Sequence, residues 1–322
     1  MKKIMVITTG GTIAMKMDEA TGGLVPAVSG KDLAASAPGI ENYGQIAVEE
    51  FSNIPSEFMT VENMQKLSRF IREREGEADG FVITHGTDTM EETAFFLDHT
   101  LSMDKPVVMT GAMRGASDLS ADGPANIRDA VHTAADGGAR ERGVLVVMNG
   151  EIHAARDVEK TDAVSLDTFQ SPGWGPVGIV GDYHIRWGRR TERVTHLPDT
   201  SIAPSVWLVK CAAGISGDIL DAALAAGAGG AIVEGFGCGN VPRDVDRAIH
   251  RLTAAGMAVV LVSRTHHGSV EKAYAYEGGA ASLEAAGCIL GGNLSGQKAR
   301  ILLMLALGAG KSKEEMKALF QE

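Results

Sequence analysis

The chain has 322 residues, 44% of them hydrophobic and 22% charged, with a net charge of −11. That length exceeds the roughly 250 to 300 residues at which single hydrophobic cores stop growing, so two domains are expected. No apolar run approaches the roughly 20 residues that span a bilayer, and the acidic balance argues against a nucleic-acid partner, whose phosphates require lysine and arginine.

Two lysines precede the apolar run Ile4 to Ile7, which breaks at Thr8-Thr9-Gly10-Gly11; it is too short for a signal peptide and reads as a first strand. Further short β-branched runs follow at Gly80 to Ile83, Pro106 to Met109, Val144 to Met148, Trp207 to Val209, Ala231 to Val233 and Ala258 to Val262. Continuous apolar strands separated by helical patterns predict parallel sheets covered on both faces, an α/β class of fold. The basic knot Arg186-Trp187-Gly188-Arg189-Arg190 reads as a solvated connection. Residues 191–205 end in Leu197-Pro198-Asp199-Thr200-Ser201-Ile202-Ala203-Pro204, lack periodicity and form a linker candidate between a larger domain, 1–190, and a smaller one, 206–322. In the second half the spacing predicts helices over Asp218 to Ala226, Val245 to Ala255 and Gln297 to Leu307, and Ser312-Lys313-Glu314-Glu315 has the form of a capping box. Cys211, Cys238 and Cys288 are an odd number without a C-x-x-C pair, which points to a reducing cytoplasm.

The first strand runs straight into Gly10-Gly11-Thr12. Two glycines there let the backbone turn sharply and offer N–H groups to a ligand, although taken alone a plain tight turn is the stronger explanation. The strand ending at Thr84 runs into His85-Gly86-Thr87-Asp88-Thr89-Met90-Glu91-Glu92-Thr93. Thr89 and Glu92 have capping-box spacing for a helix start, which leaves Thr87 and Asp88 just outside it, where the helix dipole favours a carboxylate or a developing oxyanion. Two hydroxyl-rich strand ends point to acyl transfer, in which a threonine hydroxyl attacks a carbonyl and needs a base. A lysine serves as that base when burial or another cation lowers its pKa. Lys160, in Arg156-Asp157-Val158-Glu159-Lys160-Thr161, is one candidate, and an ordinary surface lysine by the same sequence. None of the nine histidines forms an H-x-x-x-H or H-E-x-x-H pair, so no metal site is expected; His85 is expected to orient its loop, and His266-His267 to lie in one.

Taken in order, Thr9 to Ala14, Gly80 to Thr93, Lys105 to Gly111 with Ser120-Ala121-Asp122-Gly123-Pro124, Arg156 to Thr161, Gly237-Cys238-Gly239-Asn240 and Gln297-Lys298-Ala299-Arg300 resemble the successive signatures of the bacterial L-asparaginase family. The resemblance implies two α/β domains assembled as close dimers that often pair into tetramers, each site lying between one subunit's N-terminal domain and its neighbour's C-terminal domain. It implies hydrolysis of L-asparagine, with some glutaminase activity, and no metal or organic cofactor. By position it implies a nucleophile at Thr12 beside the Gly11 amide, and a second threonine at Thr87 activated through Lys160, with Asp88 between them and the substrate's α-amino group. Ser56 would meet the α-carboxylate, Glu57 the α-amino region, and Asn240 the site of another subunit.

Two departures qualify the match. The family's mobile-loop tyrosine is absent, and the nearest aligned position is Leu24, which cannot polarise a hydroxyl. The segment Glu271 to Gly279 is longer than in the best-known periplasmic members, so their cross-subunit acidic residue has Tyr274, Tyr276 and Glu277 as candidates; either tyrosine could supply the missing phenol to a neighbour. The changed lid leaves room for an amidohydrolase of another small or D-configured amide. A catalytically silent aspartate or asparagine sensor would dispense with Thr12 and Lys160, and both are present.

Overall fold

The computed structural model describes residues 1–18, 23–26, 30–191, 193–197, 201–202 and 205–321. Contacts divide the chain into two compact units, Met1–His196 and Leu197–Glu322. The expected linker contains that division; its positions 192, 198–200 and 203–204 lie outside the described residues.

The first unit opens with β1 (Lys3–Thr8), then a ribbon of β2 (Met15–Asp18) and β3 (Gly23–Pro26), in which Leu24 is paired with Met17. There follow α1 (Gly30–Ala35), β4 (Gln45–Glu50), α2 (Val61–Glu73), β5 (Gly80–Thr84), α3 (Met90–Thr100), β6 (Val107–Thr110), α4 (Gly123–Ala135), β7 (Val144–Met148) and β8 (Glu151–Ala154). A short hairpin, β9 (Glu159–Lys160) and β10 (Phe169–Gln170), precedes β11 (Gly178–Val180) and β12 (Ile185–Trp187).

Eight of these strands form one sheet in the order β12-β11-β8-β7-β6-β5-β1-β4. The five from β4 to β7 are parallel, and β8, β11 and β12 add an antiparallel end that the strand pattern did not anticipate. The cause is local. Asn149 and Gly150 join β7 to β8 with φ of 51° and 77°, and a two-residue turn of that kind closes only an antiparallel hairpin.

Alternation along the parallel strands explains their unbroken apolar runs. Ile4, Val6, Val82, Val108, Leu145 and Val147 pack with Ile127, Ala130, Val131 and Ala134 of α4. The intervening Met5, Ile7, Phe81, Ile83, Met109 and Val146 point the other way and are equally buried, on the side of α3. The chain winds from β1 outward to β4 and then back past β1 to β5, so the winding direction reverses between β1 and β5. In open α/β sheets the crevice for ligands lies at the carboxyl ends of such a pair.

The second unit contains β13 (Val206–Lys210), α5 (Asp218–Ala225), β14 (Gly230–Gly235), α6 (Arg243–Ala254), β15 (Ala258–Ser263), α7 (Ala280–Ala285), β16 (Ile289–Leu290), α8 (Gly296–Gly308) and α9 (Lys313–Leu319). Its four strands are parallel and follow chain order. Leu220, Val245, Ile249, Leu252 and Leu283 from α5, α6 and α7 pack against Val209, Val233 and Leu261, while α8 contacts β13, β14 and β15. The capping box at α9 forms: Ser312 Oγ accepts from Glu315 N–H, and Ser312 N–H donates to the Glu315 carboxylate. Cys211, Cys238 and Cys288 are free; burial pushes the Cys211 thiol up to about 11 and that of Cys288 up to about 12.

One polar side chain joins the loops after β6 and β7 to α4. Asn126, 2% exposed, donates to Gly111 O at 3.0 Å and Asp122 Oδ2 at 3.1 Å, and its Oδ1 accepts from Asn149 N–H at 3.1 Å. Asp122 in turn accepts from the N–H groups of Met113 and Arg114. Replacing Asn126 by alanine leaves the buried Gly111 carbonyl without this donor, at about 1–3 kcal/mol, and frees the Asn149 N–H of an exposed turn to bond water. Urea unfolding of Asn126→Ala is therefore expected to show a loss of at least about 1 kcal/mol; an unchanged midpoint would refute this role.

Candidate active site

Three chain segments converge at the carboxyl ends of β1 and β5, and glycine is what allows it. Gly10 has φ of 107°, and a Cβ there would stand 2.5 Å from the backbone N and O of Ile54. Gly11 has φ of 86°, and its Cβ would stand 2.3 Å from Gly86 Cα; a Cβ on Gly86 would stand 2.7 Å from Ser56 Oγ. At Gly10 and Gly11 L-residues avoid these φ values and the space is already filled by backbone, so side chains are excluded on both counts; at Gly86 the Ser56 side chain takes the space. Thr12, Thr87 and Ser56 each adjoin or form this contact. Thr12 is half-buried in a single 3-10 turn, Thr12–Ala14.

Ser56 latches the second threonine's turn. It is 5% exposed, its Oγ accepts from Asp88 N–H at 3.2 Å, and its carbonyl accepts from Thr89 Oγ1 at 2.7 Å. The helix expected after Thr89 forms as α3, but the capping box does not: the Thr89 hydroxyl donates to Ser56 and makes no cap bond. Glu57 follows, exposed, in the single turn Ser56–Phe58.

Lys160 comes from β9. Its Nζ donates to Thr87 Oγ1 at 3.0 Å and to Asp88 Oδ1 at 2.7 Å, and its side chain is 15% exposed. Its backbone N–H donates to Glu91 Oε2 at 3.0 Å, from the first turn of α3. The first unit thus brings together Gly11, Ser56, Thr87, Asp88 and Lys160, with Thr12 and Glu57 adjoining, and adds Glu91, which had carried no signal because nothing local marks a helix glutamate as the partner of a strand 69 residues away. Asp88 lies before the N-terminus of α3, whose dipole favours its negative charge. Chemically, the group offers a buried hydroxyl beside an amine and a carboxylate, a set suited to moving a proton during attack on a carbonyl.

The remaining candidates lie in the second unit. Phe236 and Asn240 exchange backbone hydrogen bonds, Glu271 N–H donates to Cys238 O, and Val241 N–H to Gly278 O, so the Asn240 turn and the segment 271–279 are tied together. Among the described residues Asn240 Oδ1 is buried with no hydrogen-bond partner. Tyr274 and Tyr276, 44% and 57% exposed, hold their rings 5.5 Å apart, while Glu277 pairs with Arg243 and Arg247. Among the described residues no cluster of three His, Cys, Asp or Glu side chains is placed to hold a metal ion, and His266 and His267 are exposed in a loop.

Residues 3–193 match the family described as asparaginase, N-terminal, and residues 205–320 match the glutaminase/asparaginase C-terminal domain. The chain belongs to the asparaginase family. It is 38% identical to L-asparaginase 2 of Escherichia coli strain K12, over 99% of this chain and 92% of that protein. It is 32% identical to the glutaminase-asparaginase of Pseudomonas fluorescens biotype A, over 99% and 90%. The crystal structure of a probable cytoplasmic L-asparaginase from Campylobacter jejuni superposes over 100% of both chains, with a TM-score of 0.90 and 33% identity.

In this asparaginase-family chain His85 orients the loop between β5 and Thr87. It is wholly buried, its Nδ1 lies 2.7 Å from Gly86 O and its Nε2 3.0 Å from Thr93 Oγ1. Burial pushes its pKa down to about 4. The ring is therefore neutral near pH 7, with Nδ1–H donating to Gly86 O and Nε2 accepting from Thr93. The unfolded chain protonates this histidine near pH 6.5 and the folded chain only near 4, so its contribution is complete above 6.5 and is lost as pH falls between those values. The loss reaches about 2 kcal/mol by pH 5. Unfolding free energies at pH 7 and pH 5 are expected to differ by about that much less in His85→Gln than in the wild type; equal differences would count against it.

Proposed function

We propose that this protein hydrolyses L-asparagine to L-aspartate and ammonia by threonine chemistry, with some activity on L-glutamine. The observation that carries the proposal is Lys160 Nζ at 3.0 Å from Thr87 Oγ1 and 2.7 Å from Asp88, at the point where the sheet's winding reverses. Thr12 attacks the side-chain amide carbon, ammonia leaves, and water then releases aspartate from the ester, with Thr87 and Lys160 carrying protons. Ser56 and the Gly11 amide hold the α-carboxylate end, and Asp88 with Glu57 the α-ammonium. The name of the Pseudomonas relative supports the glutaminase component. A panel of L- and D-amides assayed for ammonia release separates this reading from an amidohydrolase of other substrates. A silent aspartate or asparagine sensor has no use for a lysine held against a buried hydroxyl. Three free cysteines and the naming of the Campylobacter relative as a probable cytoplasmic L-asparaginase favour the cytoplasm.

The working form in this proposal is a homodimer or homotetramer in which a neighbour's Asn240, with Tyr274, Tyr276 and Glu277, completes each site. The two exposed phenols support it, as substitutes for the tyrosine that Leu24 displaces.

Thr12→Ala, Thr87→Val and Lys160→Met are each expected to lower kcat by about three orders of magnitude, with the circular dichroism spectrum unchanged. A variant that keeps a tenth or so of wild-type turnover would remove its residue from the mechanism. Mixing Thr87→Val subunits with Asn240→Ala subunits, or with Tyr274→Phe/Tyr276→Phe subunits, is expected to restore activity through hybrid sites. No recovery after demonstrated subunit exchange would mean a site built from one chain.

A further inference from the structure

Lys160 stands on weak support. The β9–β10 ladder pairs only Phe169 with Lys160 and Gln170 with Glu159, and an isolated two-stranded hairpin is marginal in water. Thr161 N–H donates to Thr168 O and Asp162 N–H to Thr168 Oγ1, but those bonds tie the hairpin only to itself. Besides the Lys160 Nζ bonds to Thr87 and Asp88, its attachment to the rest of the unit uses bonds of another kind. On the outgoing strand this is Lys160 N–H to Glu91. On the returning strand it is Ser171, the residue after β10, whose Oγ lies 2.9 Å from His153 Nδ1.

His153 is 0% exposed on β8, in register with Val146 of β7. An apolar residue would fill that place without the cost of burying an imidazole, so its polar contacts are what distinguish it. Its Nε2 lies 3.4 Å from Glu151 Oε2. Nδ1 and the Ser171 hydroxyl share one hydrogen bond, with the ring's tautomer deciding which of them donates. The row of serine, histidine and carboxylate resembles a hydrolase triad, but Ser171 is 4% exposed, so no substrate carbonyl reaches its hydroxyl.

We infer that His153 is a positioning residue for the reaction: through Ser171 it fixes the β9–β10 hairpin against the sheet and thereby sets the distance from Lys160 Nζ to Thr87 Oγ1. The inference rests on the reading of Lys160 as the partner that moves the Thr87 proton. Loss of the bracket leaves the Ser56 side of the substrate site in place and misplaces the amine, so kcat falls while KM changes far less.

The test is steady-state asparagine hydrolysis by the full-length protein, with Lys160→Met measured beside the bracket variants. Ser171→Ala and His153→Leu are each expected to lower kcat about 10- to 100-fold, the scale of an ångström-sized misplacement. His153→Asn places an oxygen acceptor where Nδ1 stood and is expected to restore most of kcat, whereas His153→Gln reaches toward the Nε2 position and is not. The double variant His153→Leu/Ser171→Ala is expected to be no worse than either single one, as for two ends of one bond. If His153→Leu fails to fold, Ser171→Ala, which removes one oxygen, carries the test. Wild-type turnover in Ser171→Ala with an inactive Lys160→Met overturns the bracket and leaves the Lys160 reading standing. Wild-type turnover in Lys160→Met overturns both. Equal losses in the Asn and Leu variants, with KM rising in step, would mean general loosening and overturn the bracket.

Discussion

Gly11 and Gly86 approach so closely that a Cβ on the first would stand 2.3 Å from the Cα of the second, and the remainder of the site is arranged around that contact. β1 and β5 are parallel neighbours, so their carboxyl ends leave the sheet side by side. Each chain then turns at once, and with no side chain at either glycine the two turns interlock. The next residues along, Thr12 and Thr87, inherit their positions first from that backbone packing, and the Thr87 hydroxyl in addition accepts from Lys160 Nζ. Ser56 closes the arrangement by pressing against Gly86 while accepting the Asp88 N–H. Rigid backbone elements hold reacting groups more closely than loops do, and this site fixes its hydroxyls at strand ends.

The amine is supplied on different terms. Lys160 belongs to a hairpin outside the eight-stranded sheet, and its Nζ reaches across to Thr87 and Asp88. In the proposed reaction one side of the chemistry follows directly on buried strands of the first unit, and the other comes from the short hairpin. His85 belongs to the first kind. Wholly buried and neutral, it serves as a fixed donor and acceptor between Gly86 and Thr93, and burial disfavours a charged ring there.

Much of this was legible in the residues, for a physical reason. β1, β5, β6 and β7 are buried on both faces, so their apolar runs are continuous and announce themselves. β4, Gln45–Glu50, is a half-exposed edge strand that mixes polar with apolar residues, and it passed unnoticed. The Asn149-Gly150 turn does carry a hairpin signal, and reading it would have revealed the antiparallel end of the sheet. Thr12, Thr87 and Asp88 could be approached from strand-to-turn geometry. Lys160 could not, because a two-residue strand has no period; only the resemblance singled it out. Glu91, Ser171 and His153 were invisible because each matters through a partner brought near by the fold. Thr89 shows the converse: its spacing to Glu92 promised a cap, and tertiary structure gave the hydroxyl to Ser56 instead.

The slightness of the β9–β10 ladder also bears on how such a molecule ages. Proteins open in parts, and the parts held by few buried contacts open at the lowest free energy. Here the element of that description carries Lys160, while Thr12 and Thr87 lie in turns that follow closely on the buried strands β1 and β5. Warming or mild denaturant is therefore expected to release the hairpin before the sheet. What holds the hairpin includes the Lys160–Glu91 and Ser171–His153 contacts and the buried Val158, Thr168 and Phe169, and a more durable variant is to be sought there before the core is touched.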